Sequence, residues 1–414
     1  MNSGKTAVCG WLLRPAESYI RWVLGVVLVA AVVRVGLRVP DGGMDNAIVV
    51  RAAEAWLDGR SPYADRHFLY LPGAVLAALP QALLPADVVR FLVPAGVTAG
   101  LAAGWACALR IHGVPWRSRF AVYGLLGLAL GFAPFGHLVE LGNWTVGSAV
   151  ALPFALLLVC RGRWVAAGLV IGAAVAVKPL LAPVVLLFVF ARRWRGLGAA
   201  VGVPALVSAA AALAMPDPAG FFTRTLPFLL RGEDSFVRLY EASPAAVLAR
   251  LGVPQTGATL LAGCAAVAGV WCAWRRWRRP GRGGEGDATP ARVVECAAML
   301  MLSAFLVSRP SYDHYLLVVL PLLLAGALTP GAAARSPWFW VALVPQVPGF
   351  SWPWLEPETR RAFKDAVTLC MLAGTVGWAC VAGRGGGDQG GRYPGERRPA
   401  CDEESPVPVS RAAF

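Results

Sequence analysis

Two carboxylates, Asp41 and Asp45, stand just past the first long apolar run of the chain, residues 20–39, where the polypeptide first leaves a membrane. Only 15% of the residues are charged, so acids at that boundary are candidates for chemistry. A carboxylate at a membrane–water boundary is suited to deprotonating the hydroxyl of an acceptor while a lipid-borne donor arrives from the side. Asp45 also opens an amphipathic stretch, Asn46 to Leu57, and from position alone a helix N-cap is its plainer reading. In that stretch Ile48, Ala52, Ala55 and Trp56 fall near one face and Arg51, Glu54 and Asp58 near the other, the pattern of a short helix at a membrane surface.

Further polar residues recur at the ends of apolar runs. Lys178 is the only lysine inside one, and an intramembrane cation either faces a partner or cavity or snorkels to headgroups. Asp65, Arg66, His67 and Tyr70 gather between Pro62 and Pro72, where an interfacial aromatic belt is the plainer reading. Asn143 follows Glu140 in a short turn, Arg224 sits in a second polar loop, and Arg309, Asp313 and His314 share a helix junction. An acid, a histidine and cations on one face suit transfer from a lipid-phosphate donor. The acceptor hydroxyl needs a carboxylate base, and the leaving phosphate needs Lys, Arg or a metal to take up charge. No dinucleotide-binding glycine fingerprint or Walker loop is present. The nine cysteines are scattered, mostly within apolar runs, with no metal-site or disulfide spacing.

The elements that must position these groups are transmembrane helices. Hydrophobic residues make up 57% of the chain in long runs from residue 20 to 382, which predicts an all-α polytopic membrane protein rather than a barrel of short alternating segments. The first run shows no cleavage site and reads as a retained helix. The net charge of +14 is carried by arginine in short loops such as Arg192–Arg195 and Arg275–Arg282, which argues for orientation and anionic lipid contact, not for nucleic acid. On this basis residues 1–19 are a cytoplasmic arm, 20–382 the membrane domain with outer loops near 40–72 and 216–243, and 383–414 a disordered cytoplasmic tail. Residues 73–84 are short of a full span and read as re-entrant or dipping only partway; the alternative is that they cross, which inverts the loops as far as Lys178. The run 164–191 is too long for one span, so it is expected to be two short helices meeting at Lys178-Pro179. The sum is about twelve crossings, in a range of ten to thirteen, with both ends inside and a catalytic cavity on the outer face of the plasma membrane.

The stretches Asp45–Arg51, His67–Gly73, Ala167–Pro183 and Phe221–Pro227 resemble glycosyltransferase family 87 of the GT-C superfamily, which uses polyprenyl-phosphate sugars. The resemblance covers about residues 30–330 and leans towards the actinobacterial α-(1→3) arabinofuranosyltransferases of cell-wall arabinan. It implies a GT-C helical bundle and an inverting transfer to a cell-envelope glycan or glycolipid, with Asp45 as the base, no required cofactor, and a divalent metal possible but not indicated. Family mannosyltransferases carry a histidine where His314 stands. Leu71 and Met44 also depart from the family pattern, so arabinofuranose and mannose both stay open as the donor sugar.

The roles assigned on this reading are Asp45 as base, His314 with Asp313 orienting or neutralising phosphate or acceptor, and Lys178 and Arg224 on the donor phosphate. Tyr70 and Asn143 line the sugar pocket, and Arg51 is a further substrate-binding candidate. The rival class is a lipid-linked glycan flippase, which would also bury charges in a helical bundle. Many such proteins are built from internal repeats, and no repeat links the two halves here.

Overall fold

The computed structural model describes residues 2–231, 240–279 and 289–382, and apart from one isolated antiparallel bridge between Pro15 and Ser118 the regular structure among them is helical. The arm expected over 1–19 contains helix α1, Asn2–Leu13, whose Trp11 stacks on Tyr123. Helix α2, Ser18–Arg38, is followed by a tight turn and α3, Met44–Leu57. Next come α4, Pro72–Ala82, α5, Ala86–Ile111, α6, Arg119–Gly131, and α7, Ala133–Leu141. Helices α8, Thr145–Cys160, and α9, Trp164–Val177, lead to a 3₁₀ turn and the short α10, Val185–Phe190. Helix α11, Trp194–Ala214, ends at the loop that holds α12, Leu226–Arg231. The remainder comprises α13, Pro244–Arg250, α14, Gln255–Arg278, α15, Pro290–Val307, α16, Leu320–Ala325, α17, Pro337–Leu343, and α18, Pro357–Ala382. The expected tail 383–414, the acids Glu233 and Asp234 and most of the glycine-rich stretch 281–290 lie outside the described residues.

Proline sets many of these starts. It opens α4, α13, α15 and α17 at the first helical positions, where its missing N–H costs nothing. Proline also makes the break in the long run at 164–191. Lys178 precedes Pro179 and takes an extended backbone (φ −137°, ψ 120°), which ends α9 at Val177 as expected. Among the described residues six helices, α2, α5, α11, α14, α15 and α18, are long and apolar enough to cross a bilayer. The pair α6–α7, bent by 72°, makes a seventh. The polytopic all-α architecture stands, while the count of about twelve is not reached by length and composition alone. Helices α8, α9 and α10 are shorter apolar pieces, and the segments expected over 315–329 and 337–350 form 3₁₀ turns with the short α16 and α17.

The bundle sorts its helices by what surrounds them. Helix α15 is buried on nearly every side, with Val293, Met301, Leu302 and Phe305 in the main core. Helix α2 turns Trp22, Val26, Val29, Val33 and Leu37 outwards, spaced by three and four residues, and α11 exposes Leu206 and Leu213. In lipid such stripes cost nothing, because hydrocarbon tails are as apolar as the side chains. A smaller core under α3 and α4 contains Val49, Ala53, Tyr63, Phe68 and Tyr70, so the amphipathic stretch is indeed a helix, packed on its apolar face.

Candidate active site

The site is built where two glycine turns interlock. Asp41, Gly42 and Gly43 all have positive φ, and Gly43, not Asp45, is the N-cap of α3. The expected capping role of Asp45 is therefore corrected. The left-handed residues start the helix at Met44 and leave Asp45 in its first turn. Gly142, in the left-handed conformation, terminates α7. A Cβ on Gly43 would stand 2.4 Å from the Leu141 carbonyl, and one on Gly142 would stand 2.1 Å from the Gly42 oxygen. Only two glycines let these backbones meet, and the meeting brings the start of α3 beside Asn143.

Asn143 is the hub. It is buried, and its Nδ2 donates to Asp45 Oδ2 at 2.5 Å. Its Oδ1 accepts from Lys178 Nζ at 3.0 Å and from the Thr145 backbone N–H at 2.8 Å. Lys178 also donates to Thr145 Oγ1 at 2.8 Å, and its ammonium lies 5.4 Å from the Tyr70 ring centre and 5.0 Å from that of Tyr315. One amide thus joins a carboxylate to an ammonium and fixes both. Burial, reinforced by the Asp45 charge, pushes the Tyr70 hydroxyl well above its usual range, so Tyr70 stays a neutral hydrogen-bond donor.

These groups open onto a cleft of about 360 Å³ lined by Asp45, His67, Tyr70, Asn143, Lys178 and Arg309, with apolar walls from Ile48, Leu180 and Pro183. Such a mixture, mostly apolar with a few convergent polar groups, suits a ligand with a lipid part and a charged head. A second cavity of about 360 Å³ lies on the other side of Asp45, lined by His137, Glu140, Asp313, His314 and Arg361. There Asp313 contacts the His137 imidazole and lies 3.6 Å from Arg361 Nη2. Burial alone would raise the Asp313 carboxyl, but the imidazoles of His137 and His314 beside it hold it below the ordinary carboxylate range. Among the described residues no group of three His, Cys, Asp or Glu side chains is arranged to hold a metal ion.

The structure brings Asp45, Asn143, Lys178 and Tyr70 together and puts Asp313 and His314 in the adjoining cavity. It does not bring in Arg224 or Arg51. Arg224 pairs with Asp217 at 2.8 Å and bonds the Tyr63 carbonyl at 3.3 Å, outside both cavities. Arg51 is exposed on α3. The cation in the cleft beside Lys178 is Arg309. His137 and Arg361 were not among the expected site residues. His137 could have been found as one of only four histidines, set at the end of an apolar run. Arg361 follows Glu356 and Glu358, a pattern that reads as solvated charge.

Residues 68–309 match glycosyltransferase family 87. An α-(1→3)-arabinofuranosyltransferase of Mycobacterium tuberculosis is 35% identical over 183 residues, 42% of this chain and 41% of that protein. The corresponding protein of Corynebacterium glutamicum is 25% identical over 224 residues, 51% of this chain and 52% of its own length. A polyprenol-phosphate-mannose-dependent α-(1-2)-phosphatidylinositol pentamannoside mannosyltransferase of Mycolicibacterium smegmatis is 28% identical over 389 residues, 84% of this chain and 88% of that protein. The chain thus spans about half or less of the arabinofuranosyltransferases it matches. No solved structure matches it.

Proposed function

The chain belongs to glycosyltransferase family 87, and from that premise we propose that it transfers a sugar from a polyprenyl-phosphate donor to a glycan hydroxyl at the outer face of the membrane. The observation that carries this reading is the Asp45–Asn143–Lys178 chain at the wall of the cleft. It holds a base and a phosphate-binding cation in one rigid unit, which the two half-reactions of such a transfer require.

In this reading the donor phosphate sits between Lys178 and Arg309, with Tyr70 beside its sugar. The acceptor O–H gives its proton to Asp45. The freed oxygen attacks the anomeric carbon from the face opposite the phosphate, and the carbon–oxygen bond to phosphate breaks. The electron pair leaves with the polyprenyl phosphate, whose growing charge meets the ammonium of Lys178 and the guanidinium of Arg309. In-line displacement inverts the anomeric centre. Asn143 engages only Oδ2 of Asp45, and Oδ1 accepts no hydrogen bond among the described residues, so it is available to the acceptor.

The arabinofuranosyltransferase relatives favour arabinofuranose as the sugar transferred. A second reading, mannose, is favoured by the nearly end-to-end match to the mannosyltransferase and by His314. Both are tested by offering purified protein in detergent a short synthetic arabinan or mannan and each polyprenyl-phosphate sugar in turn. Product from one donor identifies the sugar. Wild-type turnover by Asp45→Asn, in protein of unchanged melting temperature, refutes the base. A flippase would need a sealed membrane and would give no product in detergent.

A further inference from the structure

The second cavity has a chemistry that the cleft lacks. Both are about 360 Å³, and both are walled by Asp45 and Tyr312. The residues lining the cleft include Lys178 and Arg309 against a single carboxylate, Asp45, and Arg309 lies 3.9 Å from a further carboxylate, the buried Glu241. The second cavity offers Asp45, Glu140 and Asp313 against one permanent cation, Arg361, and that cation is engaged with Asp313 and lies over the Tyr240 ring. With neutral histidines the charged residues of the cleft sum to +1 and those of the second cavity to −2. On that count the first is the better site for a phosphate.

What the second cavity presents is hydrogen-bonding capacity for hydroxyls. His314 is 2% exposed, and neither its Nδ1 nor its Nε2 has a hydrogen-bond partner among the described residues. Its Nδ1 lies 3.3 Å from Asp313 Oδ1, and its ring stacks on Tyr312 with centroids 5.4 Å apart. An imidazole this buried, with a carboxylate beside one nitrogen and neither nitrogen in a hydrogen bond, has bonding capacity left in a cavity wall. Glu140 lines the same cavity and is exposed to it, a further acceptor for O–H groups.

We propose, resting on the transfer reading above, that this second cavity is the acceptor subsite, that it takes an uncharged sugar, and that Glu140 and His314 bind its hydroxyls while Tyr312 forms the partition from the donor cleft. The hydroxyl to be glycosylated then points through the shared wall at Asp45. Anionic sugars such as uronates are excluded by the carboxylates. The acceptor's terminal residue is recognised by its hydroxyl pattern, and the donor's phosphate never enters.

The test separates the two substrates. In purified protein, Glu140→Ala raises the KM for a short synthetic arabinan or mannan by about tenfold or more and leaves the KM for the polyprenyl-phosphate sugar within about twofold, the split expected when hydrogen bonds to one substrate alone are lost. Glu140→Gln, which keeps a hydrogen-bonding oxygen, recovers part of the loss. A rise in donor KM alone, or no change in either, overturns the assignment. A second measurement does not depend on turnover. Binding of the same oligosaccharide to the resting protein, followed by saturation-transfer NMR, is weakened by Glu140→Ala and by His314→Ala and is unchanged by Arg309→Ala, with thermal unfolding confirming the fold of each variant. Loss of binding in Arg309→Ala, or no binding by the wild-type protein, also overturns it. Binding without turnover on either donor would leave the subsite standing and refute the transfer reading instead.

Discussion

Replacing Asn143 by alanine probes the unit on which the site depends. The substitution removes the 2.5 Å bond to Asp45 and the 3.0 Å bond from Lys178 at once. Hydrogen bonds to charged groups contribute about 1.5–3 kcal/mol each, so the gross loss is about 3–6 kcal/mol. Part returns, because Lys178 keeps Thr145 Oγ1 at 2.8 Å and the Tyr70 and Tyr315 rings, and half-buried Asp45 can bind water. The portion that matters to rate is the positioning of the carboxylate, about one such bond. At about 1.4 kcal/mol per tenfold this lowers kcat by about 10- to 150-fold. Asn143→Asp instead sets a second carboxylate against Asp45 at hydrogen-bond distance. Two such acids share a proton, which raises the pH at which Asp45 is a free base, so the acid limb of the pH–rate profile moves upwards. The assay is product formation against pH, with both KM values and melting temperatures. An Asn143→Ala variant within about threefold of wild-type kcat, with both KM values and stability unchanged, would refute the claim that the amide positions the base.

Two further outcomes follow from the geometry. Gly43→Ala forces a side chain into a backbone with φ +110° and 2.4 Å from the Leu141 carbonyl, so the α3–α7 contact must part. A displacement near 1 Å there costs about 100-fold in kcat, and a calorimetric scan should show a much smaller change in the rest of the fold. The two arginines should behave oppositely in donor titrations. Arg224→Ala breaks a half-exposed pair with Asp217 worth at most about 1 kcal/mol and should leave donor KM within about threefold, whereas Arg309→Ala removes a cation from the cleft and should raise it about tenfold.

Much of the site was legible because lipid makes polar residues expensive. In a chain with 15% charged residues, an Asp, an Asn or a Lys at the end of an apolar run must have a reason to be there, and Asp45, Asn143 and Lys178 prove to be bonded to one another. The break at Lys178-Pro179 was equally legible, since proline acts through its immediate neighbours. What could not be read is who meets whom. Asp217 lies seven residues before Arg224 and claims it, a pairing no different in the sequence from a free cation beside a loop acid. His137, Asp313 and Arg361 come from three elements more than 40 residues apart, so only the packed bundle makes them a cluster. Hydropathy fails in the same way at a larger scale. Helices α2 and α15 both pass as spans, with hydropathies of 2.1 and 1.7, yet 17% of one window is buried in protein and 78% of the other. A lipid-facing helix and a central one need the same residues, because hydrocarbon and protein interior are alike to a leucine. The central position of α15 is what delivers Arg309, Tyr312, Asp313 and His314 to Asp45, so the part of the site hardest to read is the part whose place depends on which helix stands in the middle.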